Sequence, residues 1–540
     1  MTAVSSRELQ PTVVEELTTD SDLPEGWTRV RLPQVCEINP PKPSTDSLPP
    51  DAPVTFVPMP AVDAELGAIS KPETQPFSEV RKGYTAFRDG DVIMAKITPC
   101  MENGKAAIAR DLQNSLGFGS TEFHVLRPTD AVIAEFVYHF IRQGSFRKAA
   151  EAEMTGSVGQ KRVPAGFLEQ AEIPLPPLSE QKRIVTKVES LLARVNAARE
   201  RLARVPTILK RFRQAVLAAA CSGRLTEEWR NSKCLPQTGH ALLQDRYEQN
   251  QQQKETKQSG KGRKALIRPE INDADPLSAT WTWASVDQIC SMIVDCPHST
   301  PKWSDRGEVC LRTTNFRPGF LDLSEVRYVS PKVYEQRIAR LEPQPEDVVY
   351  SREGGILGIA CIVPPGAKVC LGQRMMLMRT DREVYLPNLL MHVLNSPLIL
   401  SRVQELTGGT ASPHLNVGDI KAFPIPLPPL PEQHKIVRRV EALFKLADTI
   451  EKRVAMATAR AEKLTQAVLA KAFRSELVPT EAEMARREGR DYEPAAALLA
   501  RIQAEWMTRE GEETTRRRPT MNRQAYSTKP GKLGSRNIGK

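Results

Sequence analysis

Ile173-Pro-Leu-Pro-Pro-Leu178 is followed at once by Ser-Glu180-Gln181, and Ile425-Pro-Leu-Pro-Pro-Leu430 is followed by Pro-Glu432-Gln433. The offset of 252 residues persists downstream. Ile184-Val185 answers to Ile436-Val437, and Gln214-Ala-Val-Leu-Ala218 to Gln466-Ala-Val-Leu-Ala470. Upstream, Leu23 and Trp27-Thr28 answer to Leu277 and Trp281-Thr282, while Asp91-Val92 answers to Asp347-Val348 with a drift of a few residues. The chain is therefore a tandem duplication of about 250 residues, which at that size means two duplicated domains and not a solenoid. From the proline-rich hinge onward the copies align without insertion. Before it they share few identities, so each copy has a variable head and a constant segment.

The constant segment reads as a long helix. In the first copy Ile184, Val188, Leu191, Val195, Ala198, Leu202, Val205, Leu209, Phe212 and Val216 follow a 4,3 spacing. Ile436, Val440, Leu443, Ala447, Ile450, Val454, Ala457, Ala461, Leu464 and Val468 repeat it in the second. A 3.5-residue apolar period is a coiled-coil seam, and equal lengths in the two copies predict that the helices pack on each other. Pro206 removes one backbone hydrogen bond and predicts a kink or a two-piece helix. The heads carry short apolar runs bounded by glycine, proline and charge (Asp91–Ala95, Phe123–Leu126, Val348–Ser351, Met375–Met378), each followed by a helical piece near Phe136–Ile141 or Leu389–Val393. The fold class is α+β. The expected boundaries are a loose lead over 1–22, a first head over 23–178, its helix over 179–225 and a polar, partly unstructured connector over 226–276. A second head over 277–430, its helix over 431–477, a helical segment over 478–510 and a basic disordered tail over 511–540 complete the chain.

Composition narrows the function classes. A chain of 540 residues with 40% hydrophobic and 26% charged residues is globular and multidomain. No apolar run is long enough to cross a membrane as a helix. Nine scattered cysteines argue against a disulfide scaffold and for a reducing cytoplasm. The net charge of +10 resides mostly in residues 514–540, which hold eight basic residues and no acid. The body is thus nearly neutral, and a nucleic-acid site there must be local.

Signs of catalysis are absent from the motifs. Asn39-Pro-Pro-Lys42 has lysine where the catalytic loop of amino-methyltransferases needs an aromatic to stack a flipped base. Gly104-Lys105-Ala106 lacks the leading glycine and the hydroxyl residue of a phosphate loop. Cys290, Cys296, His298 and Cys310 lack zinc-finger spacing. No metal site and no catalytic residue is expected.

The repeated hinge and helix, with the head strings Lys96-Ile-Thr-Pro-Cys-Met-Glu-Asn-Gly-Lys105, Ser120-Thr-Glu-Phe-His124 and Gly372-Gln-Arg-Met-Met376, resemble the specificity (S) subunits of type I restriction–modification systems over residues 20–510. The resemblance implies that each head is a target-recognition domain reading half of a bipartite, asymmetric double-stranded DNA site. It implies that the two helices pair antiparallel as a spacer and dock two methyltransferase subunits. Two motor-nuclease subunits complete the complex, with S-adenosylmethionine, ATP and Mg used by the partners and no cofactor bound by this chain. The competing readings are a self-contained methyltransferase or nuclease and a coiled-coil scaffold for protein partners.

Candidate DNA contacts follow from residue chemistry. Aligning the heads on their paired strands sets Lys96 opposite Arg352, two cations placed to anchor phosphate. Thr121-Glu122 falls opposite Gln373-Arg374, where an acid suits the cytosine amino group and arginine suits guanine. The Gly156–Arg162 loop, with Gln160, Lys161 and Arg162, stands opposite Gly408–His414, with Ser412 and His414. Further loop candidates are His298, Ser299, Thr300 and Lys302, then Arg312, Thr313 and Asn315. The Lys96–Lys105 string adds Thr98, Glu102, Asn103 and Lys105.

Overall fold

The computed structural model describes residues 23–516, except 45–47, 65–66, 158, 234–236, 257–265, 272–276 and 409–412. The chain divides into two compact units. One joins residues 1–200 with 458–540, and the other is residues 201–457. Each unit therefore holds one head, part of the first long helix (Leu178–Cys221) and part of the second (Leu430–Ala472).

In the first unit the apolar run Val92–Ala95 is the buried centre of an antiparallel sheet. The order of that sheet is Cys36–Ile38, Phe123–Pro128, Val92–Ala95, Ala106–Ile108. A second four-stranded sheet (Glu73–Pro76, Pro53–Val57, Leu116–Gly119, Thr85–Arg88) includes one parallel pair. The hinge strand Glu172–Leu175 pairs with Thr28–Arg31, tying the tryptophan segment to the start of the helix. Helix Ala134–Ile141 presents Phe136, Val137, Phe140 and Ile141 to the core. The second unit repeats this frame: Val348–Ser351 lies between Met375–Thr380 and Ala360–Ile362, and Thr282–Ser285 pairs with the hinge strand Pro424–Leu427. Its main sheet has six strands where the first unit's has four.

The repeated residues are explained by shared geometry. Asp91 is buried and accepts from Arg127 Nε and Nη2 at 2.9 Å each. Asp347 receives Arg379 in the same way at 2.8 and 2.7 Å. Glu180 accepts from Trp27 Nε1 at 2.9 Å, and Glu432 from Trp281 Nε1 at 2.9 Å. Gln181 donates to the carbonyls of Ala131 and Pro176 and accepts from Ile133 N–H; Gln433 does the same with Val384, Pro428 and Leu386 N–H. Each hinge thus satisfies buried polar groups completely, which a buried site requires, and fastens the helix to its head.

The two helices pair antiparallel. In the first unit Ile184, Val185 and Val188 share a core with Val468, Leu469 and Ala472, and Arg199 pairs with Glu462. In the second unit Val216, Leu217 and Ala220 share a core with Ile436, Val437 and Val440, and Arg213 bridges Asp448 at 2.7 Å and Glu451 at 2.9 Å. Start thus meets end in both units.

Two expectations need correction. Leu464 is 50% exposed and Ala198 is exposed, so neither holds the seam. Half-buried Thr465 and Gln466 face inward near Leu464 instead, because this turn packs on the head: Gln466 Oε1 caps Gly144 N at 2.7 Å. The 4,3 order is therefore inverted locally. Pro206 does not divide the first helix, which runs through it as one element with the proline ring exposed. In the connector, expected to be partly unstructured, the described residues include the helices Glu227–Asn231 and Gly239–Thr256, and 234–236, 257–265 and 272–276 lie outside the described residues. Leu242 in Gly239–Thr256 is buried, half-buried Leu243 packs on the core of the second head, and Arg246 bridges Asp381 at 2.7 Å. At the C-terminus, Glu481–Glu488 and Ala495–Arg516 are helical, and the rest of the basic tail lies outside the described residues.

Candidate nucleic-acid interface

In the first head three candidate segments meet where the central strands end. Ala95 is the last residue of its strand and pairs with Phe123. The next backbone bonds are Lys96 N–H to Glu122 O at 2.9 Å and Val163 N–H to Lys96 O at 2.9 Å. Thr98 N–H reaches Lys161 O at 3.0 Å, and Arg162 is bridged to both Ile97 and Thr155. Lys96, Thr121 and Arg162 consequently line one open cleft of about 660 Å³, together with Lys42, Tyr84 and Thr155. Its floor is polar: Asn39 contacts His124 Nδ1 at 3.1 Å and His124 Nε2 lies 2.9 Å from Val163 O. Burial pushes the His124 imidazole pKa down, so the floor is neutral at pH 7.

Glu122 differs from its expected role. Both carboxylate oxygens accept from Arg162, Nε and Nη2, at 2.9 Å each. The Arg162 hydrogen bonds hold its carboxyl below the usual range against partial burial, with added help from Lys96 through space. An acid so engaged is not a free acceptor for a cytosine amino group. Thr98 is tied to Glu102 at 2.9 Å and Lys105 Nζ to Met59 O at 3.0 Å, so they brace the loop. Asn103, Thr121, Gln160 and Lys161 are exposed.

The second head places its loops on the same frame. Ser351 pairs with Met375, Arg352 N–H donates to Arg374 O at 3.0 Å, and Leu415 N–H to Arg352 O at 2.9 Å. Lys96 and Arg352 thus occupy equivalent positions, as do Glu122 and Arg374. Their environments are opposite. Arg352 is 7% exposed and clamps Asp295 at 2.8 and 3.1 Å; it also donates to Leu415 O at 3.2 Å and pairs with Glu353 at 2.9 Å. It is a structural arginine and not the expected phosphate anchor. Asn315 is likewise spent: it is buried, accepts from Arg312 N–H and donates to Asp322 O and Glu325 O. The exposed polar groups are His298, Ser299, Thr300, Lys302, Arg374 and His414, while Gln373 donates to His298 O at 2.7 Å. Arg312 and Thr313 are half-buried, and Ser412 lies outside the described residues.

Residue spacing gave no sign of Asp295 or Arg337. Arg337 is buried and donates to Leu371 O, Gly372 O and Ser299 O, stapling the 296–302 loop to the 372–374 loop. Its partners are carbonyls more than thirty residues away, which leave no signature in sequence. Cys296 and Cys310 are buried thiols, and burial pushes the Cys296 thiol up. Among the described residues no group of three or more His, Cys, Asp or Glu side chains is placed to hold a metal ion, and no helix is long and apolar enough to cross a membrane.

A duplicated mixed-sheet head, clamped to an antiparallel helix pair and presenting polar loops at one strand end, defines a recognition protein. The family model for the type I restriction modification DNA specificity domain matches residues 24–206 and 340–456, more than half of the chain. The Escherichia coli (strain K12) type I restriction enzyme EcoKI specificity subunit is 30% identical over 406 residues, covering 73% of this chain and 76% of that protein. The EcoBI specificity subunit of Escherichia coli is 33% identical over 391 residues, covering 71% and 74%. The fold is shared with the HsdS subunit from Thermoanaerobacter tengcongensis (TM-score 0.51, 23% identity, 84% of this chain and 98% of that one). It is also shared with a chain solved in a study of assembly and conformational transition of the type I R-M system (TM-score 0.61, 22% identity, 84% and 99%). The chain belongs to the specificity subunits of type I restriction–modification systems.

Proposed function

We propose that this chain supplies sequence preference to a type I complex by reading a bipartite, asymmetric duplex, one half per head. The observation that carries this is the common frame with divergent polar groups. One strand-end position holds Lys96 on an open cleft in the first head and a sequestered Arg352 in the second, and the neighbouring position holds Glu122 or Arg374. Equivalent geometry with different donors and acceptors is what reading two unlike half-sites demands. Adenine methylation and cleavage fall to separate subunits, two for modification and two for restriction, which use S-adenosylmethionine, ATP and Mg in the cytoplasm. The described cysteines are all unpaired thiols, which suits that compartment. The test is methyl transfer in vitro. The purified chain with S-adenosylmethionine and DNA should transfer nothing, and adding the modification subunit should give transfer at one motif. Transfer by the chain alone would establish the rival reading, an enzyme with its own recognition domains.

A further inference from the structure

Resting on that DNA-reading role, we propose that Arg162 reads a guanine in the first half-site and that Glu122 is the residue that positions it. Arg162 is fixed before any ligand arrives. Its backbone is bridged on both sides, to Ile97 and to Thr155. Its guanidinium gives Nε and Nη2 to the two oxygens of Glu122 and Nη1 to Gln160 O at 3.0 Å. A guanidinium has five N–H donors, so three are committed and one remains on each terminal nitrogen. The side chain is 43% exposed and lines the cleft beside Thr121 and Lys96. Two donors on adjacent nitrogens match the O6 and N7 acceptors that guanine shows in the major groove.

Charge separates this ligand from a phosphate. Paired with Glu122, Arg162 is part of a neutral unit whose carboxylate repels an anion, while a neutral base edge meets only the two outward N–H groups. Among the described residues no acid is clamped to Lys96, which lies on the same cleft, so it is the better placed cation for the backbone. The two side chains divide the work, Lys96 holding phosphate and Arg162 holding the base.

The experiment uses the full chain assembled with its modification subunits and duplexes bearing the motif mapped for the wild type. Each guanine in turn is replaced by 7-deazaguanine, which lacks the N7 acceptor. Wild type should lose about 10- to 100-fold in affinity at one guanine of the half-site that the first head reads. Arg162→Ala and Arg162→Met, which have no donor for N7, should lose two-fold or less there and tolerate adenine at that position. The methionine variant, closer in length, serves where the alanine variant fails to assemble. Glu122→Gln should weaken the guanine discrimination several-fold while steepening the log–log salt dependence, because the arginine is no longer neutralised. Lys96→Ala should leave the 7-deazaguanine profile unchanged. Uniform weakening by Arg162→Ala with a shallower salt slope would make it a phosphate contact and overturn the proposal. So would a motif in which no guanine responds. A wild-type complex without any duplex preference would sink the DNA-reading role as well.

Discussion

Lys96 and Arg352 show how little an aligned cation says about its use. Lys96→Ala should weaken binding to all duplexes alike and lower the log–log salt slope by about 0.9, one phosphate contact. A changed base preference with an unchanged slope would contradict this. Arg352→Ala should act on stability, because it removes the buried guanidinium that clamps half-buried Asp295 and leaves that carboxylate only the exposed His298 at 3.1 Å. Losing a clamp that is buried on one side should cost about 1–3 kcal/mol, read as a lower denaturant midpoint for the second unit, and an unaltered midpoint would contradict it. The alignment of the two positions was legible in sequence because both follow a buried strand. Their fates were not, since Asp295 lies 57 residues from Arg352 and Glu122 lies 40 from Arg162.

Also at this scale, each head buries one histidine at the same turn of the helix that follows its central strands, His139 in Ala134–Ile141 and His392 in Pro387–Leu394. Burial pushes His139 down to about 3 and His392 to about 4, and neither His139 nitrogen has a hydrogen-bond partner among the described residues. The unfolded chain, with histidine near 6.5, binds the protons first. Their stabilising effect is therefore complete above about pH 6.5 and is lost as pH falls toward 4 and 3, by up to about 1.4 kcal/mol per unit per histidine. His139→Leu with His392→Leu should flatten urea stability between pH 6.5 and 5 by roughly 2 kcal/mol per site. An identical pH profile in wild type and variant would show that the histidines are protonated in the fold.

At the scale of elements, the long helices were legible because ten spaced apolar positions outweigh local exceptions. Leu464 was misplaced because the seam was read as a uniform 3.5-residue period, whereas the turn beside Gly144 rotates to meet a head that sequence spacing cannot locate. The connector helix was missed because two leucines in a polar run give no periodic signal; Leu243 matters only through the core it meets. The reciprocal packing also yields a prediction. The first unit draws Val468, Leu469, Phe473, Leu498 and Ile502 from the far end of the chain. A fragment ending near residue 235 lacks them and exposes a long apolar stripe, so it should self-associate, its own helix end substituting for the missing one. Two-fold pairing makes a palindromic target from one half-site. A soluble, folded monomer by light scattering would contradict this account of the core.

For the whole molecule, the duplication carries the functional claim. Constant hinges at Glu180-Gln181 and Glu432-Gln433 hold heads whose exposed groups differ, so recognition can diverge while assembly is kept. The measurement that tests this most directly is a methylome. The chain is expressed with its modification subunit in a host lacking other adenine methylation, once intact and once with the second head, residues 286–423, exchanged for that of another specificity subunit. The intact chain should methylate an interrupted, asymmetric two-part motif, and the exchange should replace one part and leave the other unchanged. A single continuous motif, or an exchange that alters both parts together, would contradict the reading of one half-site by each head.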